Sequence, residues 1–182
     1  MAVHKGNELP FPVLTNSTYA ASAESANNFL KQKKGVFPGD NSLDRFVKAC
    51  SMIKQINETN ITMPVTDYAF SILDTVSQGS YTVWSIVYDI SNKQILFKTA
   101  SHRNIKTIDF SGFNFSCASP SKIFNMNQEG KGDITANFIL PNKDLKSKIV
   151  NRAFSESSKY ISVTDKQKEE LLVYEMGMKC NK

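Results

Sequence analysis

The chain has 182 residues, a formal net charge of +5 and 41% hydrophobic residues, a size and composition that suit one globular domain or part of one. Its basic residues are spread out, with one dense cluster at Lys31, Lys33 and Lys34, so we predict solvated surfaces and no nucleic-acid site. No apolar run approaches the roughly 18 residues that span a bilayer, and the first residues lack the layout of a secretory signal. These features predict a soluble chain of the cytoplasm or periplasm.

The first third of the sequence predicts a strand followed by two helices. The apolar run at residues 10–16 can form a strand only after Pro12, because proline cannot donate to a sheet ladder. Alanines at helical spacing predict a helix over Tyr19–Gln32, and the glycines and prolines of residues 33–40 predict a break. We expect Ser42 to cap a second helix, whose apolar positions share one face: Leu43, Phe46, Val47, Cys50 and Ile53.

The middle third predicts one more helix and a meander of strands. After a polar connection at residues 57–63, Pro64 opens a third helix, which Gly79 is expected to end. Strands follow at residues 81–90, 94–99 and 104–110, with Asn92 in the first turn. Both faces of the first strand are fairly apolar, which is typical of a strand covered on both sides.

The last third begins with a polar loop at residues 111–132, long enough to be functional, mobile or packed on another segment. A strand is predicted at residues 133–140. Asn142 then caps a helix, and Thr164 with Gln167 forms a capping box for a last helix that runs to about Met176. Helices segregated from a run of antiparallel strands predict an α+β fold, in which the sheet requires cover on both faces.

Generic catalytic and metal-binding signatures are largely absent. His4 and His102 lack the spacing of metal ligands, so we predict no metal site and no cofactor. The three cysteines are an odd number without a C-x-x-C pair, which favours free thiols in a reducing compartment over a disulfide framework or a zinc site. Cys50 lies on the apolar stripe of its helix, where a free cysteine usually behaves as a small buried hydrophobe.

Three segments carry a resemblance to a known enzyme family. V-L-T-N-S at residues 13–17, F-P-G-D-N-S-L-D-R-F-V-K-A at residues 37–49 and W-S-I-V-Y-D-I-S-N at residues 84–92 are similar to motifs of the choloylglycine hydrolase family, which includes bile salt hydrolase and penicillin V acylase. The resemblance extends from about Val13 to Phe154 but covers only the C-terminal half of a family member. Thr18 departs from the proline that the family usually has there.

The resemblance gives two residues a catalytic role. Asn16 matches the asparagine whose side chain donates to the oxyanion formed on the substrate carbonyl, an interaction worth about 3 kcal/mol in such sites. Arg45 matches the family arginine near the nucleophile, where a fixed cation favours thiolate and anionic intermediates. From the residues alone, an asparagine in an ordinary turn is the favoured interpretation of Asn16, and Arg45 is a first-turn helix arginine held by a partner.

The resemblance implies that the chain is the C-terminal part of a cysteine N-terminal-nucleophile hydrolase. Such an enzyme has a four-layer αββα sandwich with an antiparallel sheet. Residues 1–182 would be one domain of it. The family cleaves linear amide C–N bonds in bile-acid conjugates, penicillin V or N-acyl amides, and its nucleophile is an N-terminal cysteine. This chain begins Met1-Ala2-Val3, so we expect it to be inactive alone. The implied partners are a small-molecule amide and an N-terminal half of the same enzyme or an oligomer partner.

Two other interpretations remain open from the sequence. The chain is alternatively a non-catalytic binding module or subunit that has lost the nucleophile. An unrelated basic α+β domain is the third interpretation, and a large separation between Asn16 and Arg45 would support it.

Overall fold

A computed structural model describes residues 5–6, 9–32, 39–59 and 62–174, which fall into two compact units, residues 1–105 and 106–182. The described residues hold five helices and four strands, so the chain is a mixed α/β protein as predicted. The helices are α1 (Tyr19–Gln32), α2 (Ser42–Glu58), α3 (Val65–Thr75), α4 (Lys143–Glu156) and α5 (Asp165–Val173). The strands are β1 (Trp84–Asp89), β2 (Gln94–Thr99), β3 (Lys106–Asp109) and β4 (Gly132–Asp133).

The core of the first unit lies between α1 and α2. Ala26 of α1 packs with Phe46, Val47 and Cys50 of α2, and these four side chains are between 0% and 3% exposed. The aromatic ring of Phe46 meets the rings of Phe11 and Tyr19 edge to face, each with centroids 6.0 Å apart. Burial of these side chains fixes the axis of α2, and therefore sets the directions in which α2 presents the polar residues of its other faces.

Helix α3 covers one face of the β1–β2 hairpin. The two strands pair antiparallel with Ser85 opposite Lys98 and Ile86 opposite Phe97. Lys98 binds Asp74 of α3 with an Nζ–Oδ2 distance of 2.7 Å, and its Nζ lies 5.2 Å from the centre of the Phe70 ring. Side chains alternate across a strand, so the residues on the other face of β1 point away from α3.

The second unit is built around an aromatic row and one buried lysine. The rings of Phe115, Phe113, Phe138 and Phe124 contact one another in that order, with centroid distances of 5.9, 5.0 and 5.5 Å. Lys106 of β3 is fully buried and its Nζ donates to the Met126 carbonyl at 3.0 Å. Burial also lowers the pKa of Lys106, because desolvation disfavours the charged ammonium.

Several predicted elements are wrong in type or in extent. Residues 13–16 form no strand, although Val13, Thr15 and Ser17 are less exposed than the residues between them, because no described strand pairs with them. The strand predicted at residues 133–140 is reduced to β4, a bridge at Ile139 and a 3-10 turn at Thr135–Asn137. The predicted antiparallel sheet is also incorrect in part, because β3 and β4 pair parallel.

Helix boundaries follow the sequence signals more closely. Asn142 and the capping box of Thr164 with Gln167 are confirmed as N-terminal caps. The cap of α2 is Asn41 and not Ser42, since the Asn41 Oδ1 accepts from the backbone N–H groups of Leu43 and Asp44. Helix α2 continues to Glu58 into the predicted connection, α3 ends at Thr75 before Gly79, and the predicted end of the last helix at Met176 lies outside the described residues.

Candidate functional site

The segment of residues 13–17 is tied to the first turn of α2 by hydroxyl groups. The backbone N–H of Ser17 donates to Ser42 Oγ at 2.8 Å, and Ser42 Oγ donates to Thr15 Oγ1 at 3.1 Å. Ser42 is available for these bonds because Asn41 takes the capping role. This tie could not be predicted from the sequence, since it joins residues 25 and 27 positions apart and carries no local signal.

The same tie brings together the two predicted site residues. Arg45 Nη2 donates to Asn16 Oδ1 at 2.9 Å, although the two residues are 29 positions apart in the sequence. A guanidinium group has donors only, so the oxygen of the Asn16 amide must face Arg45 and its NH₂ group must face the other way. The contact therefore holds an exposed amide with its two N–H donors directed away from the arginine.

Arg45 has a second feature that a helix arginine in a purely supporting role would lack. Its Nε is buried and makes no hydrogen bond with any described residue. A buried donor without a partner costs about 1–3 kcal/mol, and native proteins rarely leave one unexplained. Arg45 thus combines one nitrogen that binds Asn16 with one buried nitrogen that has no hydrogen-bond partner among the described residues.

The cysteines supply no nucleophile within the described residues. Cys50 is 3% exposed in the core, and burial raises its pKa to about 12, so it stays a thiol at neutral pH. This agrees with its interpretation as a buried hydrophobe. The expectation of free thiols is wrong for Cys117, which is disulfide-bonded, because an odd count of cysteines still allows one pair. Cys180 and His4 lie outside the described residues.

His102 and the acidic side chains are the remaining residues that could carry chemistry. The backbone of His102 closes a turn by bonding Thr99, with His102 N–H donating to Thr99 Oγ1 at 3.2 Å. No group of three or more His, Cys, Asp or Glu side chains that could hold a metal ion occurs among the described residues. None of the helices in that part of the chain has both the length and the apolar character needed to cross a membrane.

The fold is similar to that of an acylase of known structure. The solved structure of penicillin V acylase from Agrobacterium tumefaciens matches with a TM-score of 0.60 and 22% sequence identity. The match covers 72% of this chain and 47% of that enzyme, so the chain spans about half the length of the acylase. At this identity the likeness shows the fold alone. No protein-family model matches the chain, and no curated protein matches it by sequence.

Proposed function

We propose that the chain is the C-terminal part of a cysteine N-terminal-nucleophile hydrolase that cleaves linear amide C–N bonds, within a four-layer αββα sandwich. The observation that carries this proposal is the hydrogen bond between Arg45 and Asn16, which joins the two residues that the sequence had assigned to one site. The similarity to the fold of penicillin V acylase supports it independently. The contact also counts against an unrelated α+β domain, for which the two residues have no reason to meet.

Asn16 is the proposed oxyanion donor. When a nucleophile adds to an amide carbonyl, the oxygen becomes an anion, and a donor that is already oriented stabilises it without further reorganisation. The Asn16 NH₂ group is held in one orientation because Arg45 binds the amide oxygen. Its place on a segment fixed to α2 by Ser42 limits motion of the backbone that carries it.

Arg45 is proposed to act both on Asn16 and on the reacting atoms. Its Nη2 positions the Asn16 amide, and the positive charge that it brings beside this amide would favour a thiolate or the anionic intermediate. A guanidinium is suited to this double task because its donors lie in one rigid plane. Lysine, with a flexible stem and a compact ammonium group, lacks this fixed planar geometry.

The proposed reaction has two stages. The thiolate of an N-terminal cysteine adds to the amide carbonyl, and the C–N bond then breaks as the amine leaves with a proton from the α-ammonium group. Water next adds to the thioester, giving the carboxylic acid and the free thiol. Cys50 cannot serve as this nucleophile because it is buried and protonated. We therefore propose that an N-terminal half of the same enzyme supplies the cysteine.

The β1–β2 hairpin offers a surface for that second half. Trp84 and Tyr88 lie on the face of β1 opposite to the one covered by α3, and they are 55% and 64% exposed. Phe97 on the same face is buried, so the exposed part of this face is limited to Trp84 and Tyr88. Exposed aromatic side chains of this size mark a surface that protein usually covers. A further layer of sheet packed against this face would give the interior of the proposed sandwich.

The test is an amidase assay of the chain co-expressed with the polypeptide encoded immediately upstream of it, using penicillin V, a glycine-conjugated bile acid and an N-acyl amide. We expect no activity from the chain alone and thiol-dependent hydrolysis, with raised thermal stability, from the pair. Asn16→Ala should lower kcat about 100-fold. Arg45→Lys should lower it about tenfold with little change in KM.

The matched control is Asn28→Ala, which removes an exposed asparagine from α1 and should leave kcat unchanged. Amidase activity of the purified chain alone would contradict the proposed split of the site. If the pair is active but Asn16→Ala and Asn28→Ala behave alike, the oxyanion role is wrong. If the upstream polypeptide contains no N-terminal cysteine and the pair is inactive, the chain is a binding module.

A further inference from the structure

The second unit contains an open apolar groove of about 940 Å³ between α4 and the segment of residues 123–139. One wall is formed by Ile123, Phe124, Met126 and Ile139, and the other by the side chains that α4 turns toward them. The volume lies within the range of about 300–1,000 Å³ that is usual for small-molecule sites. The groove is therefore large enough for a ligand with an extended hydrocarbon body.

The wall opposite α4 is fixed by contacts of its own. Ile123 and Ile139 exchange two backbone hydrogen bonds, each 2.9 Å long. The Phe124 ring stacks on Phe138, and Lys106 holds the Met126 carbonyl at 3.0 Å. This wall therefore keeps its shape without a ligand, which lowers the entropy cost of binding one.

The wall formed by α4 combines an apolar stripe with basic groups. Leu145, Ile149 and Ala153 line the groove at four-residue intervals, so they share one face of the helix, and Ile149 is 50% exposed. Lys148 and Arg152 also line the groove. Arg152 is paired with Glu156 at an Nε–Oε1 distance of 2.7 Å, whereas Lys148 forms no ion pair with any described residue.

We propose that this groove binds an amphipathic carboxylate, with its hydrocarbon body on the apolar walls and its head group at Lys148. The charge pattern favours a single anion, since the groove is lined by two cations and one carboxylate that already neutralises Arg152. An extended peptide fits less well. The backbone groups of Ile123 and Ile139 are used by each other, and the Met126 carbonyl is used by Lys106, so few remain to pair with a strand.

The test is a fluorescence titration of the purified full chain with parinaric acid, kept below the concentration at which the probe forms micelles. We expect saturable binding that palmitate displaces and that hexadecanol displaces several-fold less well. Ile149→Asp should weaken binding about tenfold or more, since it places a carboxylate on the apolar wall. Lys148→Glu should weaken it about fivefold at low salt, and added salt should reduce that difference.

Lys166→Glu is the matched control, because Lys166 is an exposed lysine on α5 that does not line the groove. It should bind the probe like the unaltered chain, and circular dichroism should show all three variants folded. Absence of saturable binding would overturn the proposal, as would equal displacement by the acid and the alcohol. Stronger displacement by an acidic amphipathic helical peptide than by palmitate would overturn it in favour of a protein partner. The experiment measures ligand binding to the chain alone, so its result does not depend on whether the proposed hydrolase function is correct.

Discussion

The helices of the two units differ in where they place their apolar side chains. In residues 1–105, α1 and α2 bury Ala26, Phe46, Val47 and Cys50 against each other, and Phe70 of α3 is also buried. In residues 106–182, neither α4 nor α5 has a buried residue among those described, and Ile149 and Leu171 are about half exposed. The helices of the first unit therefore bury apolar side chains against each other, whereas those of the second leave theirs partly exposed.

This difference indicates which unit can support a precise site and which can accept a partner or ligand. Asn16 and Arg45 rest on α2, whose axis is held by the buried Phe46. Groups that must be placed within fractions of an ångström require such a packed support. The helices of the second unit gain stability from whatever covers their apolar stripes, so their stability should depend on occupancy of the groove.

The largest predicted effect is on the core of the first unit. Phe46→Ala should lower the free energy of unfolding by about 3–5 kcal/mol, because it opens a cavity at a fully buried position. Phe115→Ala is the matched change in the second unit, where the ring is 72% exposed, and should cost less than about 1 kcal/mol. Urea unfolding of both variants checks this. Equal losses would show that the two units do not differ as described.

A smaller effect, dependent on pH, is predicted for the buried lysine of the second unit. Burial lowers the pKa of Lys106 below the 10.5 of an unperturbed lysine. Between the lowered pKa and 10.5 the unfolded chain binds more protons than the folded one, so the free energy of unfolding should rise with pH there. At pH values below the lowered pKa, Lys106 is charged in the folded chain, and the free energy of unfolding carries the full cost of burying the ammonium.

Lys106→Met should remove this rise and change the stability near pH 7 by less than about 2 kcal/mol, since an apolar chain replaces a buried charge. The measurement is urea unfolding of both proteins between about pH 7 and pH 10, compared with Lys166→Met, an exposed lysine on α5. The exposed variant should keep the rise. If the free energy of unfolding of Lys106→Met still rose with pH, another titrating group would be its cause.

The helices and the hairpin could be predicted because their signals are local. The bounds of α1 and β2 agree with the prediction, and Asn142 and Thr164 cap the expected helices. The strand predicted at residues 133–140 failed because alternation does not provide a pairing partner, and only its first residue, Asp133, is aligned with β3 in the parallel register. A cap one residue from the predicted one, Asn41, shows the limit of local signals when two good capping residues are adjacent.

The candidate site was only partly predictable. Asn16 and Arg45 were assigned from motifs, but their hydrogen bond depends on how the chain folds back over 29 residues. The burial of Lys106 likewise depends on distant segments, and a lysine in a strand is usually exposed. Residue type therefore indicated the chemistry, whereas the tertiary fold determined which groups met.

The smallest predicted effect concerns the two asparagine caps. Asn41→Ala removes two bonds to backbone N–H groups of α2, and Asn142→Ala removes one to α4, so each should cost about 1 kcal/mol. The loss of stability should affect different parts of the chain in the two variants. Helix α2 is packed through Phe46 and Val47, so weakening it should lower the stability of its whole unit. Helix α4 has no buried residue, so its first turn should fray locally.

Hydrogen exchange read by mass spectrometry separates the two outcomes. For Asn142→Ala we expect faster exchange confined to the first turns of α4, with an unchanged urea midpoint for the first unit. For Asn41→Ala we expect a lower midpoint together with faster exchange across α1 and α2, since these helices share one core. Asparagine to aspartate changes at both positions keep a capping oxygen and serve as controls. If Asn142→Ala lowered global stability as much as Asn41→Ala, then α4 would be as firmly packed as α2, and the groove beside it could not be an open site.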